Sequence, residues 1–414
     1  TEPGRTTLVT LPDLETNERG TATVYVVSVN LDANHDGTMD RTFYGPDQTS
    51  ANRPFRFWIN NDNDSYRGED FDASWRRDSD DNTIGNTREL EDFARLWISG
   101  LPSLPATNGY AVTLSWRNYT GNPTIKLYPA SEADGGNLYL QATNVALEQI
   151  AYTNNAGILT GPGACMATST PNATFTFPAN YFLNVGRKHF LFEGVERGSG
   201  ELVMTIAQGT NNLAETSVFM DLRDVKEMYE RWSVGEAGTV EPLSTPFLAA
   251  DGLPVGTSPF QYPHNSTTDT NTPYILHVHG WNMTTWSKNS YGETGFKRLY
   301  WQGYSGRYGI FRWPTYFNFP GLGFDLQAFD LNNYEKSEWQ AWKSATGLRT
   351  LLTNLNGLYP QRVRVTGHSM GNVVVGEALR ISSNAPALAV VYAALEAAIP
   401  SHCYDSGATN REIQ

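Results

Sequence analysis

Cysteine is nearly absent from the 414 residues: Cys165 and Cys403 are the only two. That excludes a disulfide scaffold and leaves open either one long-range bridge or two buried free thiols. Long apolar runs are also missing. The longest candidate, Ala385 to Pro400, is interrupted by Glu396, so no segment is expected to span a membrane. Positive charge is scarce, with 30 Lys and Arg against 43 Asp and Glu and a net charge of -13, so the basic footprint that nucleic acid requires is lacking. The N-terminal TEPGRTTLVT contains neither an initiator Met nor an apolar signal core. This leads us to expect the mature part of a longer, secreted or extracellular protein.

Aromatics, at 12% with 11 Trp and 21 Tyr, supply material for a folded core, and the length suggests two or three domains. The negative charge is concentrated early: residues 1–110 carry 19 Asp and Glu against 10 Lys and Arg, a balance of -9. Such a bias points to bound cations. The strand-like TATVYVVSVNL runs into LDANHDGTMD, where Asp32, Asn34, Asp36, Thr38 and Asp40 stand at alternate positions and Gly37 permits a sharp bend. Oxygen ligands spaced in this way converge on one hard cation, and calcium is the expected ion. Phe43 stands where an EF-hand would place its bidentate acid, and the flanks read as strands. A second run, PFRFWIN, leads into Asp62 and Asp64, either another calcium site or further ligands of the first, with a solvated acidic loop as the plain alternative. The first loop thus resembles the Asp-rich calcium loops of secreted bacterial proteins.

Between Thr87 and Ser99, Leu90, Phe93, Leu96 and Trp97 fall at helical spacing, and Val225, Met228, Tyr229 and Trp232 do the same between Asp221 and Trp232. A helix is expected at each place. Seven strand-like runs separated by Gly, Pro and Asn fill residues 109–222 and suggest a β-sandwich. Residues 236–273, rich in Pro, Gly, Ser and Thr, read as a linker. After it the pattern alternates. Strands are expected at Tyr274 to His279, at Tyr308 to Trp313, before residue 367 and at Leu388 to Ala398, with helices over Ser337 to Tyr359 and through Arg380. Alternating strands and helices mean a parallel sheet. The expected fold class is therefore multidomain: an all-β, sandwich-like part with calcium-binding loops (1–108 and 109–235), the linker (236–273), and a mostly parallel α/β part (274–414).

Residues 367–371, GHSMG, stand between that apolar strand and a helix, the setting in which Gly-x-Ser-x-Gly forms a nucleophile elbow. Together with HVHGWN at the end of a strand about 90 residues upstream, the pentapeptide resembles the lipase and esterase branch of the α/β-hydrolase superfamily. The resemblance covers about 140 residues. It implies Ser369 as the nucleophile and an oxyanion hole formed by the backbone N–H groups of Met370 and Trp281, with Asn282 or Met283 able to replace Trp281. An ester or lipid-like substrate follows from the same resemblance. The family's acid and base should come after the serine in chain order. Here His402 is the only later histidine, and Asp405 comes after it, the reverse of the expected order. The resemblance is thus incomplete after the elbow. A continuation of the chain, self-assembly or a second chain completing the site, or an altered layout using His402 and Asp405 all stay open. The alternative from another class is an extracellular structural, assembly or adhesion protein that keeps a non-catalytic form of the fold.

The calcium reading makes its own prediction. Chelation should lower the melting temperature by several degrees. An unchanged melt, with no metal found by elemental analysis of the purified protein, would refute it.

Overall fold

The computed structural model describes residues 27–33, 47–61, 90–99, 109–130, 167–178, 181–182, 187–234, 247–248, 273–283, 285–301, 304, 306–315, 331–382 and 386–399. A largely antiparallel sheet comes first: β1 (Ser28–Leu31), β2 (Phe55–Trp58), β3 (Phe93–Ser99), β4 (Tyr110–Ala130), β5 (Ala167–Ser169), β6 (Phe175–Thr176), β7 (Arg187–Gln208) and β8 (Asn211–Arg223). Its path runs β1-β3-β7-β4-β5, with β8 on β7, β2 parallel on β8, and β6 on β4. A second sheet follows, with β9 (Glu230–Ser233), β10 (Phe247–Leu248), β11 (Tyr274–Val278), β12 (Arg307–Arg312), β13 (Val363–His368) and β14 (Val391–Leu395) in the order β10-β9-β12-β11-β13-β14. All its pairings are parallel except that of β10 with β9. Its helices are α1 (Thr285–Trp301), α2 (Leu331–Leu358) and α3 (Gly371–Arg380).

The expected fold class is corrected. Among the described residues the protein is mostly β, 48% strand against 25% helix, and one eight-stranded sheet, rather than two facing sheets, dominates the first two-thirds. Fusion of strands explains the difference. YAVTLSW and TIKLYPA are the two ends of the single strand β4, and KHFLFEGV and ELVMTIA are the two ends of β7. The polar breaks between them are bulges: the β4–β7 register shifts between Arg117 and Thr120 and again after Gly121, where Gly121 faces Gly198. Both glycines have positive φ, and a Cβ on Gly198 would lie 2.4 Å from Pro123 Cδ. A sequence cluster that signals a turn thus marks an irregularity inside a continuous ladder.

Two expected helices are also corrected. Phe93–Ser99 is a strand paired to both β1 and β7, buried from Phe93 through Ile98. A strand covered on both faces shows no alternation and can mimic helical spacing. Asp221 to Trp232 is split among the end of β8, a short 3-10 turn (Val225–Glu227) and β9. The Asp224 carboxylate caps the turn by accepting from the Lys226 N–H at 2.8 Å. Glu230 is then drawn into the second sheet, where it accepts from the Tyr274 hydroxyl and pairs with Arg307.

The two sheets share one core through α1. Phe296 and Tyr300 on α1 pack in the cluster formed by Phe55, Phe57, Trp58 and Phe192 of the antiparallel sheet, which also takes in Tyr308 and Ile310 of β12. Phe311 and Trp313 join a second cluster with β11, β13, α2 and α3. The parallel sheet therefore carries α1 on one face and α2 and α3 on the other. Ion pairs fix α1 in place: Lys297 Nζ lies 2.8 Å from Asp92 Oδ1 with neither side chain exposed, and the part-exposed Arg298 has Nε 3.0 Å from the buried Glu91.

Removing one member of a buried ion pair strands the other charge. Lys297→Met should cost about 3–5 kcal/mol in urea unfolding, and adding Asp92→Asn should restore more than half of it. A single-variant loss below about 1 kcal/mol would place the pair outside the forces that join the sheets.

Candidate active site

The elbow begins where β13 ends. Ser369 is half-buried and has φ 50°, a left-handed conformation that costs a side-chain-bearing residue about 1–2 kcal/mol. The strain is accepted because the neighbours leave no other path. A Cβ on Gly371 would sit 2.5 Å from the backbone oxygens of both Val278 and His279, and one on Gly367 would sit 2.7 Å from Asn372 Oδ1. Gly280 is equally constrained, since a Cβ there would meet His368 Nδ1 at 2.9 Å and Ser369 Cβ at 3.1 Å. The HGW loop and the GHSMG turn, 90 residues apart in the chain, are thus in backbone contact.

Met370 caps α3, and its side chain is buried. Its N–H belongs to the first turn, at the positive end of the helix, and has no protein acceptor among the described residues. Opposite it, Trp281 is held by its indole N–H donating to Ser337 Oγ at 3.0 Å, while Ser337 Oγ donates to Thr315 O at 2.8 Å. The Asn282 N–H donates to Thr315 Oγ1 at 3.1 Å. Of the residues considered for the second oxyanion donor, Asn282 is therefore already committed elsewhere.

Three histidines surround the turn. His279 is fully buried and its Nε2 accepts from the Trp313 N–H at 3.1 Å, so its proton is on Nδ1, which donates to Gly280 O at 2.8 Å. Burial pushes its pKa well below the ordinary value, assisted by the Lys288 ammonium, and it stays neutral. His277 is buried with Nδ1 2.8 Å from Thr366 Oγ1. Burial, then proximity to His368, lowers its pKa to about 4. His368 is part-exposed, with Nε2 3.5 Å from Glu396 Oε2. Tyr291 of α1 stacks on His277 and His368, at centroid distances of 5.0 and 6.0 Å.

Asn372, Tyr392 and Glu396 were not anticipated from the sequence as site residues. Asn372 carried the one usable signal, a polar residue directly before the apolar run Val373 to Val375. Of the candidate calcium ligands, Asp32 is buried after β1 with Oδ2 3.2 Å from Arg95 Nη2. Asn34, Asp36, Thr38, Asp40, Asp62 and Asp64 lie outside the described residues, as do Cys165, Cys403, His402 and Asp405. No helix is long and apolar enough to cross a membrane, among the described residues. Compared with known proteins, the chain matches no protein-family model, and no curated protein matches it.

The depressed His277 pKa has a sign that can be tested. The unfolded chain, titrating near 6.5, binds a proton that the folded state refuses until about pH 4. The folded state is thus favoured above pH 6.5 and loses roughly 3 kcal/mol from this group as pH falls to 4. His277→Gln should flatten the stability profile between those values. A variant whose urea midpoint falls as steeply with acid as the parent's would refute the assignment.

Proposed function

We propose that this protein is a secreted serine hydrolase of the esterase or lipase type, acting through an acyl-enzyme at Ser369. One observation carries the reading: a serine at φ 50° in a strand-to-helix turn, with a helix N-terminus immediately behind it. Strain of this kind concentrates where a side chain must be presented. The resemblance of GHSMG and HVHGWN to esterase motifs supports the same reading.

In this scheme Ser369 Oγ attacks the acyl carbonyl carbon, and the alcohol leaves with the proton that Oγ gives up. Water then attacks the acyl-serine, releasing the acid and restoring the hydroxyl. The N–H groups of Met370 and Trp281 stabilise the oxyanion in both steps. Both nitrogens of His279 are engaged by the backbone, so it does not serve as proton acceptor, whereas His277 has Nδ1 engaged by Thr366. His368 is the described imidazole beside the turn, with Glu396 3.5 Å from its far nitrogen. Structural calcium is proposed at the Asp32 loop on the alternate spacing of its oxygen-bearing residues.

A fluorophosphonate probe followed by peptide mass spectrometry should place the adduct on Ser369, and Ser369→Ala should abolish it together with hydrolysis of short-chain p-nitrophenyl esters. Intact protein left unlabelled at Ser369 would sink the proposal and favour the structural or adhesive alternative.

A further inference from the structure

The strained serine needs something to hold it, and the network that does so reaches beyond the turn. The Ser369 N–H donates to Leu395 O at 3.0 Å, and the Ser369 carbonyl accepts from the Asn372 N–H at 3.1 Å, the Ala398 N–H at 3.2 Å and Asn372 Nδ2 at 2.9 Å. The same Nδ2 also donates to Leu395 O at 3.2 Å. Asn372 Oδ1 accepts from the Tyr392 hydroxyl at 2.7 Å. The amide orientation is fixed by chemistry, because a flipped side chain would turn its oxygen toward two carbonyl oxygens. The Asn372 side chain is fully buried, and the three residues that follow it in the helix, Val373, Val374 and Val375, are buried too. An apolar residue would fill such a place, and a buried amide persists there only with its partners satisfied.

We infer that Asn372 is a positioning residue for the nucleophile, clamping the Ser369 carbonyl to the end of β14 and held in orientation by Tyr392. This rests on the hydrolase reading above for its catalytic meaning, but the clamp itself can be tested separately. It assigns a specific role to the first glycine of the elbow: Gly367 lacks a side chain because Asn372 Oδ1 occupies the space, whereas Gly371 makes way for the carbonyls of β11 and its following loop. Tyr392 and Leu395 lie three residues apart on β14, so one side chain senses that strand at two points and transmits its position to the serine.

The test uses the full chain carrying Asn372→Asp, isosteric but without the amide donors, and Tyr392→Phe, which removes one hydroxyl. Amide hydrogen exchange of the Ser369 and Ala398 peptides is read by mass spectrometry beside the melting temperature, and fluorophosphonate inactivation is resolved into KI and kinact. In Asn372→Asp the exchange of those amides should rise about tenfold with the melt retained, and kinact should fall roughly 10- to 100-fold at neutral pH with KI unchanged. Relative to the parent at each pH, kinact should recover as the new carboxyl protonates and can donate one bond again. Tyr392→Phe should show the same pattern more weakly, and it decides the matter if Asn372→Asp fails to fold. Unchanged exchange at Ser369 and Ala398 overturns the clamp, and raised exchange with unchanged kinact overturns its positioning role. A parent protein that takes no label, with exchange still raised in the variants, removes the hydrolase reading and leaves the clamp standing.

Discussion

Asp92 and Lys297 meet at 2.8 Å with neither side chain exposed, and the relation of the two sheets depends on that contact. A buried charge tolerates only one docking register, because any slide of α1 along the antiparallel sheet would leave a carboxylate and an ammonium unpaired in a low dielectric. The Trp58 indole N–H adds its bond to the same carboxylate, and the Tyr300 hydroxyl donates to Arg56 O. Aromatic packing of Phe296 and Tyr300 against Trp58 supplies the area; the charges supply the register.

The register matters at the other side of α1. Tyr291 sits fewer than two turns before Lys297 on the same helix, and its ring covers His277 and His368, the latter adjoining Ser369. One wall of the candidate site is thus set by an ion pair made with the first sheet. The antiparallel region acts as the mount for one side of the elbow.

The sequence made the second half more legible than the first, for physical reasons. β11, β12, β13 and the helices α2 and α3 were readable because short apolar strands alternate with helical periodicity, and GHSMG announced the turn between β13 and α3. The first sheet was misread because Gly121 and Gly198 look like turn residues yet form bulges in two long strands, and because β3, buried on both faces, lacks the period of two. Helix α1 was missed: its amphipathic pattern is masked by Lys288, Glu293 and Lys297, polar residues that are buried with partners supplied by distant segments. In the site, Ser369 could be read locally, whereas Asn372 acquires its meaning only through Tyr392 and Leu395, which the fold brings to it.

β14 is one of the two outermost described strands of its sheet, and Val391 and Leu395 on it are nearly half exposed. Edge strands are the first parts of a sheet to open, at a free energy well below that of global unfolding. Since the backbone of Ser369 hangs on Leu395, the geometry of the turn is only as durable as this edge strand. Warming should therefore loosen the turn while most of the protein is still folded.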